Sequence, residues 1–276
     1  MRASRPVFLG LLALQLAFGR PDTVYRGTAV KCIEGRSERA SMRSTSRLPE
    51  ASGGARVERR GGMTEIDVEL DSMKPASLFG GDYNTYVLWV VPPGGPAENL
   101  GEVPIEDDQG RLRASTRTCS FVVLVSAEPH YLVEAPSAFI VLETHGDDGN
   151  AVVEQLLVSG IYNYARSTLA DVKEAKGKVH SDVRQAFTAV RLAGRAGAGS
   201  LAADEMAQAQ RALDATLALW HERKDRSIIA AQARETIRLA VAARRLAAER
   251  ALQGTRGAEG SGGGNSGTDG RDPRGR

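Results

Sequence analysis

Tyr83-Asn84-Thr85-Tyr86-Val87-Leu88-Trp89-Val90-Val91, followed at once by Pro92-Pro93-Gly94-Gly95-Pro96, is the stretch that decides the fold. Its residues are mostly β-branched or aromatic, the types that fit a pleated and well-buried surface, and the Pro/Gly run forbids continuation. Upstream, Glu65, Asp67 and Glu69 alternate with Ile66, Val68 and Leu70. Period two puts acids on one face and aliphatics on the other, as in a half-buried strand. Downstream, Leu100 to Ile105 reads as a short strand and Arg111 to Thr116 alternates weakly around Leu112 and Ala114. The continuously apolar run from Ser120 to Val125 suits a central strand, and Ala138 to Leu142 follows Pro136 as another. Several short strands at close spacing, with no helix between them, predict an immunoglobulin-like antiparallel β-sandwich over residues 63–162. The stretch from Val152 to Tyr164 reads as a last strand plus linker, with the linker occupying residues 163–181.

From Asp182 the period changes to that of a helix. Val183, Phe187 and Val190 recur on one side, with Ala186 and Ala193 beside them, until Gly194, Gly197 and Gly199 interrupt the run. Ser200 or Ala203-Asp204 opens a second helix lined by Met206, Leu213, Leu217 and Trp220. Asp225 or Ser227 opens a third, through Ile229, Ala233, Ile237, Val241 and Ala248, ending by Gly254. The short connection around Arg223 to Arg226 folds the last two back as an antiparallel hairpin. The expected fold class is therefore α+β in separate regions, a sandwich followed by an Ala-rich α-helical region at residues 182–253. Residues 254–276 contain no large apolar residue and read as a Gly-rich disordered tail.

The chain opens with Arg2 and Arg5, then an apolar core from Val7 to Phe18, small residues at Ala17 and Gly19, and an abrupt stop at Arg20-Pro21-Asp22. This is the layout of a secretory signal peptide over residues 1–19, and it is shorter than the ~20 apolar residues of a membrane span. An uncleaved anchor is the alternative. Residues 20–62, rich in Ser, Arg and Gly, show no apolar periodicity and read as a basic disordered segment. Cys32 and Cys119 remain after signal removal. In an oxidising compartment they either pair, tethering the N-terminal segment to the β region, or stay free with Cys119 buried in a strand.

The net charge of +2 hides a block pattern. Residues 63–145 hold 13 acids against four bases, residues 20–62 ten bases against five acids, and residues 163–253 sixteen bases against ten acids. An acidic body thus lies between basic flanks, which attract each other within the chain, meet an anionic envelope surface, or are simply solvated faces. The basic segments lack interleaved aromatics and any recognition motif, which argues against nucleic acid as a partner.

No set of residues demands chemistry. Gly-x-Ser-x-Gly, His-x-x-x-His and Cys-x-x-Cys are all missing, and Gly177-Lys178 has Val172 where a phosphate loop needs its first Gly. His130, His145, His180 and His221 share no spacing, and two cysteines with four histidines make no zinc pattern. Glu106, Asp107 and Asp108, and separately Asp147, Asp148 and Asn150, offer oxygen ligands for a hard cation but match no calcium loop, so acid-rich turns are the favoured reading. Trp89 and Trp220 lie in apolar periodic runs and read as core anchors. His130 follows Glu128-Pro129, which offers a carboxylate–imidazole pair near the acidic edge of the sandwich, with a plain loop residue as the favoured reading. No catalytic, cofactor or metal site is assigned.

Two features carry a resemblance. Residues 79–92, then Ala97-Glu98-Asn99-Leu100-Gly101-Glu102-Val103, then the run from Phe121 to Pro129 resemble uncharacterised envelope proteins of acidobacteria-like organisms. The shared anchors are Leu88-Trp89, Leu100-Gly101 and Glu128-Pro129. The same pattern is loosely similar to the extracytoplasmic β-sandwich of the anti-sigma-K family, and the Ala-rich region from Ala186 to Ala251 resembles the helical domain of the former group. The resemblance, which covers roughly residues 63–253, implies a periplasmic or outer-membrane-associated protein. In several such relatives a peptidoglycan-binding domain of the outer-membrane-protein-A type follows the helices, whereas here the Gly-rich tail takes that place. The expectation is an exported, periplasmic or secreted, non-enzymatic interaction module with no transmembrane segment after signal removal. Its partners are an envelope protein, an anionic envelope surface or a second copy of itself. The alternative is a ligand-binding or sensory sandwich signalling through its helices, and an unusual hydrolase built on Glu128 and His130 stands third.

Overall fold

The computed structural model describes residues 24–145, 150–154 and 179–261. The signal-peptide and linker stretches expected at residues 1–19 and 163–181 lie outside them, apart from residues 179–181. Among the described residues eleven strands precede four α-helices: β1 Val24–Thr28, β2 Ser37–Ser44, β3 Ser52–Arg60, β4 Met63–Asp71, β5 Thr85–Val91, β6 Glu98–Val103, β7 Ile105–Glu106, β8 Gln109–Thr116, β9 Val122–Glu128, β10 Ile140–His145 and β11 Asn150–Glu154, then α1 Ser181–Arg195, α2 Ala198–Leu201, α3 Ala203–His221 and α4 Arg226–Ser261. The antiparallel β body followed by helices agrees with the α+β layout read from periodicity. Nine strands form one sheet in the order β6-β5-β9-β10-β2-β3-β4-β8-β7, and β1 pairs with β11 beside it. The facing halves expected of a sandwich belong to this single sheet, which curls until β6 lies against β8 without ladder bonds. There Thr116 Oγ1 and Thr118 Oγ1 donate to Glu98 Oε2 at 2.5 and 3.2 Å.

β5 and β9 are buried along their whole length because the alternation serves two cores. Tyr86, Leu88 and Val90 pair with Ala127, Val125 and Val123 on the inner face, joining Ile66, Val68, Met42 and Val57 from the other half of the sheet. Val87, Trp89 and Val91 point outward with Val122 and Leu124 and are covered by Val133 and Ile140. Each large side chain so buried stabilises the fold by roughly 1.5–3 kcal/mol.

Residues 20–62, read as a disordered segment, supply two inner strands. β2 and β3 are central in the sheet, with Met42, Ala55 and Val57 in its core. The alternation exists, Ala55 and Val57 against Arg56 and Glu58, but its inward residues are few and small and Gly53-Gly54 interrupts it. Gly53 is required by close approach, since a Cβ there would meet the Glu69 carbonyl oxygen and Leu70 Cδ2, both at 2.8 Å.

α1 is buried nearly all round. One stripe, Ala186, Val190 and Ala193, packs on α3 and α4, while Leu192 joins the core of the sheet. Gly197 adopts φ +83° and breaks the chain between α1 and α2, as the glycine cluster predicts. α3 ends with Arg223 in the left-handed region at φ +56°. Arg223 N–H bonds the Trp220 carbonyl at 3.1 Å and Lys224 N–H the Leu219 carbonyl at 3.0 Å, the Schellman pattern that turns the chain into α4. α3 and α4 form the expected antiparallel hairpin, registered by a buried Thr216–Thr236 hydroxyl pair at 2.9 Å. The α4 backbone continues to Ser261, past Gly254 where the tail was expected to begin. No helix among the described residues is long and apolar enough to cross a membrane.

Candidate interaction face and buried polar cluster

The outward face of β2, β3, β4 and β8 follows from the same alternation that fills the core. In one cross-strand row Arg39 stands opposite Arg56, Arg56 opposite Asp67 and Asp67 opposite Arg113. In the next, Ser41 faces Gly54, Gly54 faces Glu69 and Glu69 faces Arg111. Asp67 and Glu69 pair with Arg113 and Arg111 at 2.9 and 2.7 Å. Arg39 and Asp71 have no ion-pair partner among the described residues. Ser41, Ser52 and Gly54 are too small to rise above the sheet, so the charged rows wall an open trough of about 1170 Å³. A narrower hollow of about 690 Å³ runs from Asp67 and Glu69 past Gly101 to Tyr131 and Arg234, reaching the helices.

The helices lie against the β body through a polar seam. Glu102 Oε1 accepts from Thr85 Oγ1 at 2.6 Å and from Gln185 Nε2 at 2.7 Å, while Oε2 pairs with Arg234 at 3.3 Å. Gln185 Oε1 accepts the Tyr131 N–H at 2.9 Å, and Ser181 donates to the Asn84 carbonyl at 2.7 Å. Asn84 Nδ2 donates to the Asp82 and Pro129 carbonyls and to Thr188 Oγ1 at 3.0, 2.9 and 3.0 Å. Glu134 pairs with both Arg244 and Arg245. Part of the opposite charge read as separate blocks is thus neutralised inside the molecule. Ser181, Gln185 and Thr188 were missed as functional positions because polar residues at helical spacing read as a solvent face.

The pair singled out for chemistry is sealed. Glu128 is 0% and His130 1% exposed. Glu128 Oε1 accepts from Ser126 Oγ and the Ser137 N–H, each at 2.6 Å, and Ser126 in turn accepts the Trp89 indole N–H at 2.8 Å. Glu128 Oε2 and His130 Nδ1 are buried without a hydrogen-bond partner among the described residues, so no bond joins the two side chains through these atoms. Burial pushes the Glu128 carboxyl up to about 8, against the opposing pull of the bonds from Ser126 and Ser137. Burial, aided by the Arg244 charge, pushes His130 down to about 3. Near neutral pH both are uncharged, which is what burial without a counter-ion requires.

The other singled-out residues fall apart as sites. Asp107 and Asp108 are the central residues of the β7–β8 hairpin, at φ +48° and +63°, values that a type I′ turn demands. Asp108 pairs with Lys74 at 3.0 Å. Asp147 and Asp148 lie outside the described residues. His145 ends β10, His180 precedes α1, and His221 lies edge-on to Trp220 at 5.1 Å. Trp89 and Trp220 are core anchors, at 0% and 5% exposure. No group of three or more candidate metal ligands gathers among the described residues. No protein-family model matches the chain, and no curated protein is detectably similar to it.

Proposed function

We propose that this chain is an exported, non-catalytic envelope protein that acts as a protein-interaction module through the charged trough on β2, β3, β4 and β8. The observation that carries the reading is the trough itself. Small residues floor it and both signs of charge line it, Arg39, Arg56 and Arg111 against Asp67, Glu69, Asp71 and Glu106, so an extended protein segment of mixed charge, with an acid placed to meet Arg39, fits both its shape and its charge. The basic start and short apolar core at residues 1–19 support export, and the resemblance to envelope proteins supports the same address. The seal over Glu128 and His130 supports a non-catalytic role, because a substrate has no path to either group.

The test is crosslinking in intact cells with a photoreactive residue at Ser41, compared with one at Ile228 on the helices. The expected result is a discrete product from Ser41, lost in Arg39→Glu/Arg56→Glu. Equal products from both sites, or products indifferent to the charge reversal, would refute the docking face. Export is tested separately by fusing residues 1–30 to a reporter active only outside the cytoplasm, and an inactive fusion would refute it. The seam favours a sensory second reading, since Gln185 and Asn84 couple helix to sheet directly. That reading requires a ligand that raises the melting temperature of the full chain.

A further inference from the structure

Residues 29–36 cross the end of the main core, where Val30 and Cys32 pack against it. Their backbone is anchored by a parallel bridge, Glu34 to Arg59, and by an antiparallel one, Val30 to Phe121, the latter with both hydrogen bonds made at 2.8 and 3.1 Å. Two residues outward in that register, Cys32 comes opposite Cys119. The ladder does not continue there, since Ser120 takes φ +66°, and the two cysteines are brought together by their side chains. The side chains confirm the proximity: although 87 residues apart in sequence, Cys119 Sγ donates to the Cys32 carbonyl at 3.1 Å. Cys32 Sγ accepts from Thr64 Oγ1 at 3.8 Å. Both cysteines are free and partly exposed, so a small disulfide reaches them.

We infer that Cys32 and Cys119 form an intramolecular disulfide in an oxidising thiol–disulfide environment, stapling the segment ahead of β2 to the connection between β8 and β9. With a small-molecule disulfide as oxidant, one cysteine thiolate attacks it, breaking its S–S bond and expelling one small thiolate. The second cysteine thiolate then attacks the protein sulfur of the mixed disulfide and expels the other. Two cysteine sulfurs are oxidised, two small thiols are produced, and the protons released by the cysteines are taken up by the departing thiolates. Burial first, then the Cys119 side chain, push the Cys32 thiol up, so exchange quickens as pH rises. The bond closes a long loop and therefore restricts the unfolded chain more than the folded one. The inference does not rest on export, which decides only where the oxidant is met.

The full chain is equilibrated with oxidised glutathione under native conditions and followed by intact mass and by thiol alkylation. The expected product has lost two hydrogens, carries no glutathione and takes up no alkylating agent. Its melting temperature is higher than that of the reduced protein by roughly 5–10 °C. Cys119→Ser is expected to retain one glutathione on Cys32, which shows that the site is reached and that Cys119 resolves the mixed disulfide. Persistence of two reactive thiols, glutathione retained on both cysteines, or a bond carried by covalent dimers would overturn the inference.

Discussion

Replacing Glu128 by Gln tests the buried pair through the pH dependence of stability. Glu128 rises from an ordinary 4.5 to about 8 in the folded protein, so folding takes up a proton between those values. Its contribution is fully present below pH 4.5 and is lost as pH rises toward 8. His130 falls from 6.5 to about 3, so folding releases a proton in that window. Its contribution is fully present above pH 6.5 and is lost as pH falls toward 3. Each proton is worth about 1.4 kcal/mol per pH unit. The two slopes have opposite sign and cancel between pH 4.5 and 6.5, where stability is level. Above pH 6.5 only Glu128 acts, and about 2 kcal/mol disappears by pH 8. Below pH 4.5 only His130 acts, with a similar decline by pH 3. Glu128→Gln keeps an oxygen for Ser126 and Ser137 but cannot ionise. Its stability is expected to climb from pH 4.5 to 6.5, where the His130 slope is no longer opposed, and to stay level above. Urea unfolding followed by far-UV circular dichroism at half-unit steps from pH 3.5 to 8.5 reads both limbs. An alkaline decline of undiminished slope in Glu128→Gln would show that the carboxyl is not the group responsible.

Further outcomes follow from local geometry. Arg223→Gly relieves the left-handed backbone at the end of α3 and is expected to stabilise by about 1 kcal/mol in urea unfolding, since only Gly adopts φ +56° without strain. Gly53→Ala drives a Cβ into the Glu69 carbonyl and is expected to destabilise by roughly 1–3 kcal/mol, while Gly54→Ala, whose Cβ has only the Ala40 oxygen nearby at 3.8 Å, is neutral or slightly stabilising. Asn84→Ala strips two buried acceptors, the Pro129 carbonyl and Thr188 Oγ1, and the part-buried Asp82 carbonyl of their shared donor and is expected to cost roughly 1–3 kcal/mol. Because the bond to Thr188 ties the residue ahead of β5 to α1, hydrogen exchange should accelerate in α1 more than in β3 or β4.

The sheet half containing β5 and β9, the turn at Pro92, the three helical runs and the break at Gly197 were all legible along the chain. In each case an apolar period is strong, or a Pro or Gly leaves the backbone little choice. β2 and β3 were not legible. Their inward residues, Ala40, Met42, Ala55 and Val57, carry too little apolar surface to show a period among Ser, Gly and Arg. They form strands because β4 and β10 offer ladder partners on both sides.

Outside β2 and β3, local order thus came from side-chain pattern, whereas four relations are long-range and depended on the tertiary structure. These are the curl that brings β6 against β8, the polar seam of Ser181, Gln185 and Thr188, the seal over Glu128 and His130, and the meeting of Cys32 with Cys119. A polar residue satisfied by a partner 100 positions away has the same sequence signature as one satisfied by water. Only the packed chain distinguishes them, because burial and hydrogen-bond partners are properties of which surfaces meet.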